Sequence, residues 1–236
     1  MEWLKLNTLL PGSSYTNWKG WQESKFLNFT LREKEYFEAQ ILPFVNNGIG
    51  FSNVIEIGFG NGSFLGWCKS INLDIIGVEV IPELNKRAIE AGVPSFDSIY
   101  SSDLSEFVSS IDLIVAFDVL EHISDSELPV FFDRVKQLLK NEGKFVFRVP
   151  NGDSPFGLPY QNGDLTHKTS IGRNKIQQLA NQAGFSIEKI EAPAKSETKA
   201  ISLGRNLFEK LIANLYFEGN RYVFSPNIVA VLTSQK

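Results

Sequence analysis

The spacing of hydrophobic positions changes near residue 53. Before that point, the stretch LREKEYFEAQIL at 31–42 carries apolar residues at helical intervals. Thr30 and Glu33 open this stretch as a capping box, in which each side chain bonds to the backbone of the other residue. We therefore predict a helix that ends at Pro43, because proline disrupts a helix interior.

From residue 53 onward, short apolar runs alternate with amphipathic stretches. The runs predict buried strands and are NVIEI at 53–57, DIIGVEV at 74–80, a weaker SIYSS at 98–102, IDLIVAF at 111–117 and GKFVFRV at 143–149. Helices are predicted between them at 62–71, 83–91, 103–109 and 125–140, the last opened by a second capping box of Ser124 and Glu127. This alternation predicts right-handed crossovers and a parallel sheet that binds ligands at the carboxyl ends of its strands.

The carboxyl-terminal part of the chain continues the alternation after a long polar loop. Its predicted elements are a helix at 171–183 that ends at Gly184, a strand FSIEKIEA at 185–192, a helix at 203–217 and a strand NIVAVLTS at 227–234. The predicted fold class is α/β, a doubly wound, mostly parallel seven-stranded sheet with helices on both faces. The predicted organisation is an aromatic-rich extension and helix at 1–48, which acts as a lid or docking segment, and one domain at 49–236 with a substrate loop at 150–170 and a helical insertion at 195–220.

Composition and charge narrow the classes of protein to which the chain can belong. Of its 236 residues, 43% are hydrophobic and 21% are charged, a balance typical of a folded globular protein. The net charge of -4 leaves no broad basic surface for phosphates, so no nucleic-acid partner is expected. Cys68 is the single cysteine, and no segment has the apolar length that spans a bilayer, so we expect a cytoplasmic protein.

A glycine-rich turn follows the first predicted strand and carries the strongest chemical signal. In VIEIGFGNGSFLGW at 54–67, Glu56 ends the strand, and Gly58, Gly60 and Gly62 follow at alternate positions before a helix. Glycines let the backbone adopt positive φ and approach a ligand closely, and the helix start presents free N–H groups. A dinucleotide fingerprint places its third small residue three positions after the second glycine, whereas here the third glycine follows after two. The Glu56 carboxylate would also repel a pyrophosphate, so the pattern disfavours a dinucleotide.

The pattern E-x-G-x-G-x-G at the end of a first strand resembles motif I of the class I methyltransferases that use S-adenosyl-L-methionine. Later segments resemble the same family in order: Glu79 where an acid bonds the ribose hydroxyls, Asp103 where the adenine is held, and FDVLEHI at 117–123 beside the methionine portion. The resemblance covers residues 50–150 and implies a Rossmann-like methyltransferase fold with S-adenosyl-L-methionine as cofactor. The residues that it places at the cofactor are Glu56, Gly58, Phe59, Gly60, Asn61, Gly62, Glu79, Val80, Ser102, Asp103, Leu104, Asp118 and Val119.

Other interpretations of these residues stay open. Glu79 is also typical of a solvated acid at a helix start, and Asp103 of a helix N-cap. A nicotinamide oxidoreductase is the alternative enzyme class, although the glycine spacing disfavours it. A cofactor-binding partner subunit that has lost catalysis is the alternative to an enzyme.

Methyl transfer in this family is a direct displacement at a sulfonium methyl group, so positioning supplies most of the acceleration. A base is needed only when the acceptor must lose a proton. His167, in GDLTHKTS after the fifth strand, is the predicted catalytic base, and a histidine that only stabilises the loop is the alternative. The predicted substrate-binding residues are His122, Asn151, Tyr160, Asp164 and Lys168, of which His122 is equally suited to cap the following turn.

Carboxylates in the same region raise the question of a metal. Asp118, Asp153, Asp164 and His167 together offer three carboxylates and an imidazole. Nothing in their spacing is diagnostic of a metal site, so the sequence predicts no metal.

The acceptor class is indicated by the residues at the end of the fourth strand and beyond it. That strand ends in FDVL instead of the N/D-P-P-Y/F tetrapeptide with which the amino-methylating nucleic-acid enzymes of the class hold a base. The stretches RVPNGDSPFG at 148–157 and GDLTH at 163–167 resemble the small-molecule branch, in particular enzymes of bacterial polysaccharide pathways. Polar side chains in this loop suit a hydroxylated acceptor. We therefore predict O-methylation of a sugar, a glycan or a phosphorylated small molecule, with a quinone or lipid methyltransferase as the alternative.

The predicted helix at 203–217 carries an apolar stripe. The stripe consists of Leu203, Leu207, Phe208, Leu211, Ile212 and Leu215. Such a stripe is typical of a core, a substrate lid or a dimer face, and membrane contact beside a lipid-linked substrate is the lesser alternative. The sequence leaves the oligomeric state and the acceptor atom undetermined.

Overall fold

The structure is a computed structural model, and it describes residues 12–45, 53–194, 199–216 and 222–235. Predictions that fall on other residues, including parts of the extension at 1–48 and of the insertion at 195–220, lie outside the described residues. Within the described ranges, none of the helices combines the length and the apolar composition needed to cross a bilayer.

Seven strands form one sheet in the order β3-β2-β1-β4-β5-β7-β6. The strands are β1 (Val54–Ile57), β2 (Ile75–Val78), β3 (Ser95–Phe96), β4 (Ile111–Phe117), β5 (Leu139–Pro150), β6 (Phe185–Glu191) and β7 (Asn227–Ser234). Strands β1 to β5 pair in parallel, whereas β7 pairs antiparallel with both β5 and β6. The prediction of a mostly parallel seven-stranded sheet is confirmed.

Helices cover both faces of the sheet. They are α1 (Gly12–Trp18), α2 (Leu31–Val45), α3 (Ser63–Ser70), α4 (Pro82–Glu90), α5 (Leu128–Leu138), α6 (Leu158–Asn162), α7 (Arg173–Ala183) and α8 (Lys199–Tyr216). Neighbouring residues of the central strands face opposite layers: Val54 and Leu113 share a core with α2, α3 and α4, whereas Ile55 and Ile114 share a core with α5 and α7. The two-residue period of a strand therefore places a hydrophobic side chain in each layer.

The first capping box is confirmed, but the predicted end of its helix is wrong. The Thr30 N–H donates to Oε2 of Glu33 at 2.7 Å, and the Glu33 N–H donates to Oγ1 of Thr30 at 3.2 Å. Pro43 lies inside α2, which continues to Val45. Near a helix end a proline removes one backbone donor, and the last turn forms without it.

The third strand does not lie where the SIYSS run predicts it. The two-residue β3 is Ser95–Phe96, and the chain then turns, with the Ser101 N–H donating to the carbonyl of Ser98 at 3.0 Å. Oγ of Ser98 accepts from the Tyr100 N–H at 3.1 Å. Serine side chains compete in this way with strand pairing, so Ile99 is buried from within a turn.

Two further helix predictions need correction. The stretch predicted at 103–109 is a 3-10 helix over Ser102–Phe107. The capping box of Ser124 and Glu127 closes the turn before α5. Residues 139–140, which were included in the predicted helix, begin β5, because Leu139 is extended and pairs with β4.

The apolar stripe of α8 is not part of the core. Its side chains are exposed at Leu203, Leu207, Phe208, Leu211 and Leu215, with exposed fractions between 55% and 72%. The expectation of a core role is therefore wrong for these five residues. The lid, dimer-face and membrane alternatives stay predictions.

Candidate cofactor and substrate site

The glycine turn after β1 is a cradle that side chains would fill. Gly58, Gly60 and Gly62 all have positive φ, at 69°, 53° and 74°. A Cβ on Gly58 would lie 2.5 Å from Cγ2 of Val119, and one on Gly60 would lie 2.7 Å from the Trp21 ring. Residues with a Cβ fit neither the dihedral angles nor the space, because Val119 and Trp21 pack against the turn, so glycine is required at these positions.

Glu79, at the end of β2, is tied to this turn. Its Oε2 accepts from the Gly60 N–H at 3.0 Å, and its Oε1 accepts from the Ile81 N–H at 3.1 Å. Burial raises the pKa of the Glu79 carboxyl, and these backbone donors oppose the shift. The carboxylate is therefore fixed in position beside the glycine turn, where the resemblance implies contact with the ribose.

Glu56 lies beside the same glycine turn, but one of its carboxyl oxygens lacks a hydrogen bond from the described residues. It is 5% exposed, and in the described part of the chain its Oε2 has no hydrogen-bond partner. Burial and then the Glu79 charge raise its pKa well above the usual value, against a hydrogen bond from the Leu65 backbone. A buried carboxyl oxygen without a partner suits a cationic ligand group. The cradle and this oxygen together fit the cationic S-adenosyl-L-methionine that the resemblance implies.

The residues predicted to hold the adenine lie on the 3-10 helix after β3. Leu104 is buried, and Ser102 and Asp103 are exposed. The cap of this helix is Ser101, whose Oγ accepts from the Asp103 N–H at 3.3 Å. The alternative that Asp103 is the N-cap is therefore wrong, and its contact with adenine stays a prediction.

Asp118 follows β4 and forms a charged pair with Arg148 of β5. Its backbone has a φ of 57°, and its Oδ1 accepts from Nε of Arg148 at 3.0 Å. The Arg148 guanidinium lies 5.1 Å from the Tyr36 ring centroid and 5.4 Å from that of Phe117. Burial opposes the charge of Arg148, but Asp118 more than compensates and raises the pKa of the guanidinium. Burial also raises the pKa of Tyr36 to about 12.

A cavity of about 1380 Å³ opens beside the glycine turn. It extends from Glu56 and Gly58 past Asp118 and Arg148 to Tyr160. Further polar groups reach it from the N-terminal segment at 12–30, from α2 and from β7; they are Lys19, Arg32, Glu35 and Asn227. The wall therefore combines the end of the parallel strands with charged side chains from distant parts of the chain.

A second polar cluster is formed by residues after β4 and in the loop at 150–170. The His122 and His167 rings lie 4.7 Å apart between centroids, and Nε2 of His167 is 3.9 Å from Oε1 of Glu121 and 3.8 Å from Oδ2 of Asp164. Thr166 connects the two sides, because its Oγ1 donates to Oδ1 of Asp164 at 2.5 Å and lies 3.0 Å from Nδ1 of His122.

Burial dominates the ionisation of this cluster. It lowers the pKa of His122 to about 4, with the charge of His167 as the next cause, and it lowers the pKa of His167 against the opposing charge of Asp164. Both imidazoles are therefore neutral near pH 7. Burial and then the Asp118 charge raise the pKa of Glu121 well above its usual value. For Asp164 burial is outweighed by hydrogen bonds from Thr166 and by Lys19, so its pKa falls to about 2.

The N-terminal segment lies over both regions. The Trp21 ring packs against Gly60, the side chain of Tyr15 lies close to that of Thr166, and Nζ of Lys19 pairs with Oδ2 of Asp164 at 3.0 Å. The carbonyl of Leu27 would lie 1.8 Å from a Cβ on Gly66, so α3 accepts the segment at a glycine. That this segment acts as a lid stays a prediction.

The predicted substrate residues separate into different environments. Tyr160 is exposed and lines the cavity, and Lys168 is exposed. His122 and Asp164 belong to the second cluster with His167 and do not line the cavity. Asn151 is 1% exposed, and its Nδ2 donates to the carbonyls of Val223 at 2.6 Å and Ser225 at 3.1 Å. Both amide hydrogens hold the chain before β7, which favours a structural role.

Three of the site residues that the sequence did not predict are instructive. They are Arg148, Glu121 and Thr166. Arg148 sits in a strand, where an arginine is typical of an outward polar position. Glu121 precedes a selected histidine, and a Glu-His pair directly after a buried strand is the signal that would have identified it. Thr166 gives no signal in sequence.

Comparisons with known proteins agree with this geometry. Residues 27–190 match the family described as the methyltransferase domain. A search of curated proteins gave no match. A methyltransferase from Archaeoglobus fulgidus, described as dependent on S-adenosylmethionine, superposes with a TM-score of 0.63 at 22% identity, covering 89% of this chain and 97% of its own.

Two further solved structures share the fold. A methyltransferase from Clostridium acetobutylicum, described as S-adenosylmethionine-dependent, has a TM-score of 0.62 at 12% identity, covering 94% of this chain and 99% of its own. Phosphoethanolamine N-methyltransferase 2 from Haemonchus contortus, solved with S-adenosyl-L-methionine, has a TM-score of 0.58 at 14% identity, covering 97% of this chain and 61% of its own. The chain therefore belongs to the methyltransferase domain family, and its fold and glycine turn make it a class I methyltransferase with S-adenosyl-L-methionine as cofactor.

Proposed function

We propose that this methyltransferase methylates a hydroxyl oxygen of a sugar, a glycan or a phosphorylated small molecule. The observation that carries the proposal is the cavity beside the glycine turn. Its volume of about 1380 Å³ exceeds the roughly 300–1,000 Å³ of a pocket for one small ligand. A cofactor and an acceptor therefore have room in it together.

The polar groups of the cavity wall suit a hydroxylated or anionic acceptor. Lys19 and Arg32 supply cationic donors, Asn227 and Tyr160 supply neutral hydrogen-bonding groups, and Glu35 supplies an acceptor. Each hydroxyl of a sugar needs both a donor and an acceptor nearby, and a phosphate needs cationic donors. A flat apolar quinone would leave these groups without partners, which is costly once water is excluded.

His167 is the proposed base. Its Nδ1 lies 3.0 Å from the carbonyl of Gln161, an acceptor, so Nδ1 carries the proton and Nε2 keeps its lone pair. S-adenosyl-L-methionine supplies the methyl group when bound. The carbon–sulfur bond of the sulfonium would break as the acceptor oxygen bonds to the methyl carbon, so that the sulfur leaves as a neutral thioether. Nε2 of His167 would accept the hydroxyl proton and pass it to water.

His167 lies one residue behind the cavity wall. Lys19 lines the cavity and pairs with Asp164, whose Oδ2 is 3.8 Å from Nε2 of His167. Access of the acceptor to His167 therefore requires the N-terminal segment around Lys19 to move. If the segment is a lid, as the sequence predicts, its opening would expose His167.

The test is an acceptor screen with S-adenosyl-L-methionine. Sugars, sugar phosphates and a quinol are incubated separately with the protein, and methylated products are located by mass spectrometry. We expect O-methylated sugars or sugar phosphates. We expect His167→Gln to lower the rate about 100-fold or more, because a general base contributes at least that much. Cofactor binding, measured by calorimetry, is expected to stay unchanged.

The matched control is Lys86→Gln on the exposed surface of α4, which we expect to keep the wild-type rate. Methylation of the quinol alone would favour the quinone alternative. Cofactor binding with no methylation of any acceptor would favour a subunit without catalysis. Either result would overturn the proposal.

A lipid-linked acceptor is the second candidate, and the exposed stripe of α8 favours it. Leu207 and Leu211 are 71% and 55% exposed on that helix. A helix with such a face binds at a lipid interface. Co-sedimentation with anionic vesicles, lost in Leu207→Glu, would support this candidate, and no sedimentation of the wild-type protein would exclude it.

A further inference from the structure

The second polar cluster contains a carboxylate for which the described protein provides no partner. Glu121 is 1% exposed, and in the described residues neither of its carboxyl oxygens receives a hydrogen bond. A buried polar group in that state costs about 1–3 kcal/mol or more when it is charged. Glu56 has one carboxyl oxygen without a partner in the described chain and lines the cofactor cavity. Glu121 has two such oxygens and does not line that cavity, so a cation at its own position would compensate them.

Hydrogen bonds at Nδ1 fix the tautomers of both histidines beside Glu121. Nδ1 of His167 faces the Gln161 carbonyl at 3.0 Å. Nδ1 of His122 faces the Thr166 carbonyl at 3.3 Å and its Oγ1 at 3.0 Å. Because the Thr166 hydroxyl donates to Asp164, its oxygen accepts from His122. Each Nδ1 therefore carries the proton, and each Nε2 keeps a lone pair, as in histidines that bind metals.

We propose that Glu121, His122 and His167 bind a divalent cation of the first transition series. One ligand atom from each residue lies within 4.8 Å of the other two. Metal–ligand distances are about 2.0–2.2 Å, so binding a cation would require these side chains to move closer together. Two imidazoles and one carboxylate favour Mn²⁺, Fe²⁺, Co²⁺ or Zn²⁺ over Mg²⁺, which prefers oxygen ligands.

The surroundings of the three ligands also fit a cation. Asp164 lies 3.8 Å from Nε2 of His167 and adds negative charge at the edge of the cluster. That charge is paired with the ammonium of Lys19, which reaches the cluster from the N-terminal segment. A bound cation and Lys19 therefore compete for the same negative charges. The sequence predicts no metal, and the four residues that raised the question there share only His167 with the proposed ligands.

The site gives a specific role to a cation if the proposed O-methylation is correct, and only this role rests on that function. Three protein ligands leave coordination positions open for an acceptor oxygen. A cation there would lower the pKa of the acceptor hydroxyl and fix its orientation. With the cation bound, His167 would be its ligand, which would replace the role of base proposed for the metal-free protein, and the hydroxyl proton would leave to water.

The test measures binding of the metal alone to chelator-treated full-length protein. Mn²⁺ is titrated calorimetrically, and Co²⁺ is titrated by its visible absorption, which reports nitrogen and oxygen ligands. We expect one saturable site. Glu121→Gln and His122→Gln are each expected to weaken binding at least about tenfold, because each removes a ligand. Mg²⁺ is expected to bind more weakly than Mn²⁺.

The matched control is Asp125→Asn, which removes an exposed acid four residues from Glu121. We expect it to leave the affinity unchanged. Folding of each variant is checked by thermal unfolding without metal. Absence of a saturable site in the wild-type protein, or equal binding by Glu121→Gln, would overturn the site. Because no acceptor is present, these results are independent of the acceptor screen, in which a failure would overturn the O-methylation and leave the metal site standing.

Discussion

Glu79 and Glu121 are both buried, but their carboxyl groups differ in hydrogen bonding. Glu79 is 5% exposed, and backbone N–H groups of Gly60 and Ile81 bind both of its oxygens. Glu121 is 1% exposed, and neither of its carboxyl oxygens has a hydrogen-bond partner among the described residues. The carboxylate of Glu79 is hydrogen-bonded within the wall of the cofactor site. The carboxylate of Glu121 needs a partner from outside the chain, which we propose to be a cation.

The difference follows from where the surrounding residues come from. Of the two donors to Glu79, Gly60 lies in the turn after the adjacent strand β1, and Ile81 follows Glu79 by two residues. The neighbours of Glu121 come from a loop more than forty positions away, in which Asp164 and His167 are themselves ligand-like. Nearby backbone N–H groups donate hydrogen bonds to the Glu79 carboxylate, whereas the distant side chains around Glu121 contribute charges and lone pairs.

The largest effect is expected from Glu79→Ala. The substitution removes an acceptor from two backbone donors and the expected acceptor for the ribose, and hydrogen bonds to a charged group contribute about 1.5–3 kcal/mol each. We expect affinity for S-adenosyl-L-methionine, measured by calorimetry, to fall about tenfold to 100-fold. Glu83→Ala, at an exposed acid of α4, is the control and should bind normally. Normal binding by Glu79→Ala would remove the distinction between the two acids.

An intermediate effect is expected at Glu56, the unsatisfied acid of the cofactor wall. Its folded-state pKa is raised above the usual 4.5, so the folded protein holds this proton more tightly than the unfolded chain. The resulting stability is complete below pH 4.5 and is lost as pH rises from there through the folded-state pKa.

Urea unfolding of the cofactor-free protein measures this loss. We expect the wild-type free energy of unfolding to be larger at pH 5 than at pH 8, and the difference to shrink in Glu56→Gln. Glu106→Gln, which alters an exposed acid, should keep the wild-type difference. An unchanged difference in Glu56→Gln would assign the pH dependence to other groups.

The smallest effect is expected from Lys19→Met. Removing the ammonium frees Asp164 and leaves the negative charge around Glu121 unbalanced. We expect Mn²⁺ affinity to rise about threefold to tenfold, since one charge several ångströms away contributes about 1 kcal/mol at the edge of a protein. Weaker Mn²⁺ binding by this variant would mean that Lys19 supports the cluster and does not compete with a cation.

Much of the fold could be predicted, and the errors have local causes. Hydrophobic runs located β4 and β7 to the residue, and Gly184 with φ of 72° ended α7 as predicted. The third strand was missed because Ser98 bonds to nearby backbone and turns the chain. The core was one of three roles predicted for the stripe of α8, and it is wrong for the five exposed residues, because periodicity identifies an apolar face and does not identify what covers it.

The sequence by itself determined the glycine turn, the acid that ends each of the first two strands and the family that uses them. These features lie within a few residues of one another or at the same edge of adjacent parallel strands, so spacing and alternation are enough to place them. Only the tertiary structure decided that Glu121, His122 and His167 meet, that Lys19 reaches Asp164, and that Asn151 is held inside. Such contacts depend on how a long loop and an N-terminal segment pack on the sheet, and no local periodicity encodes that packing.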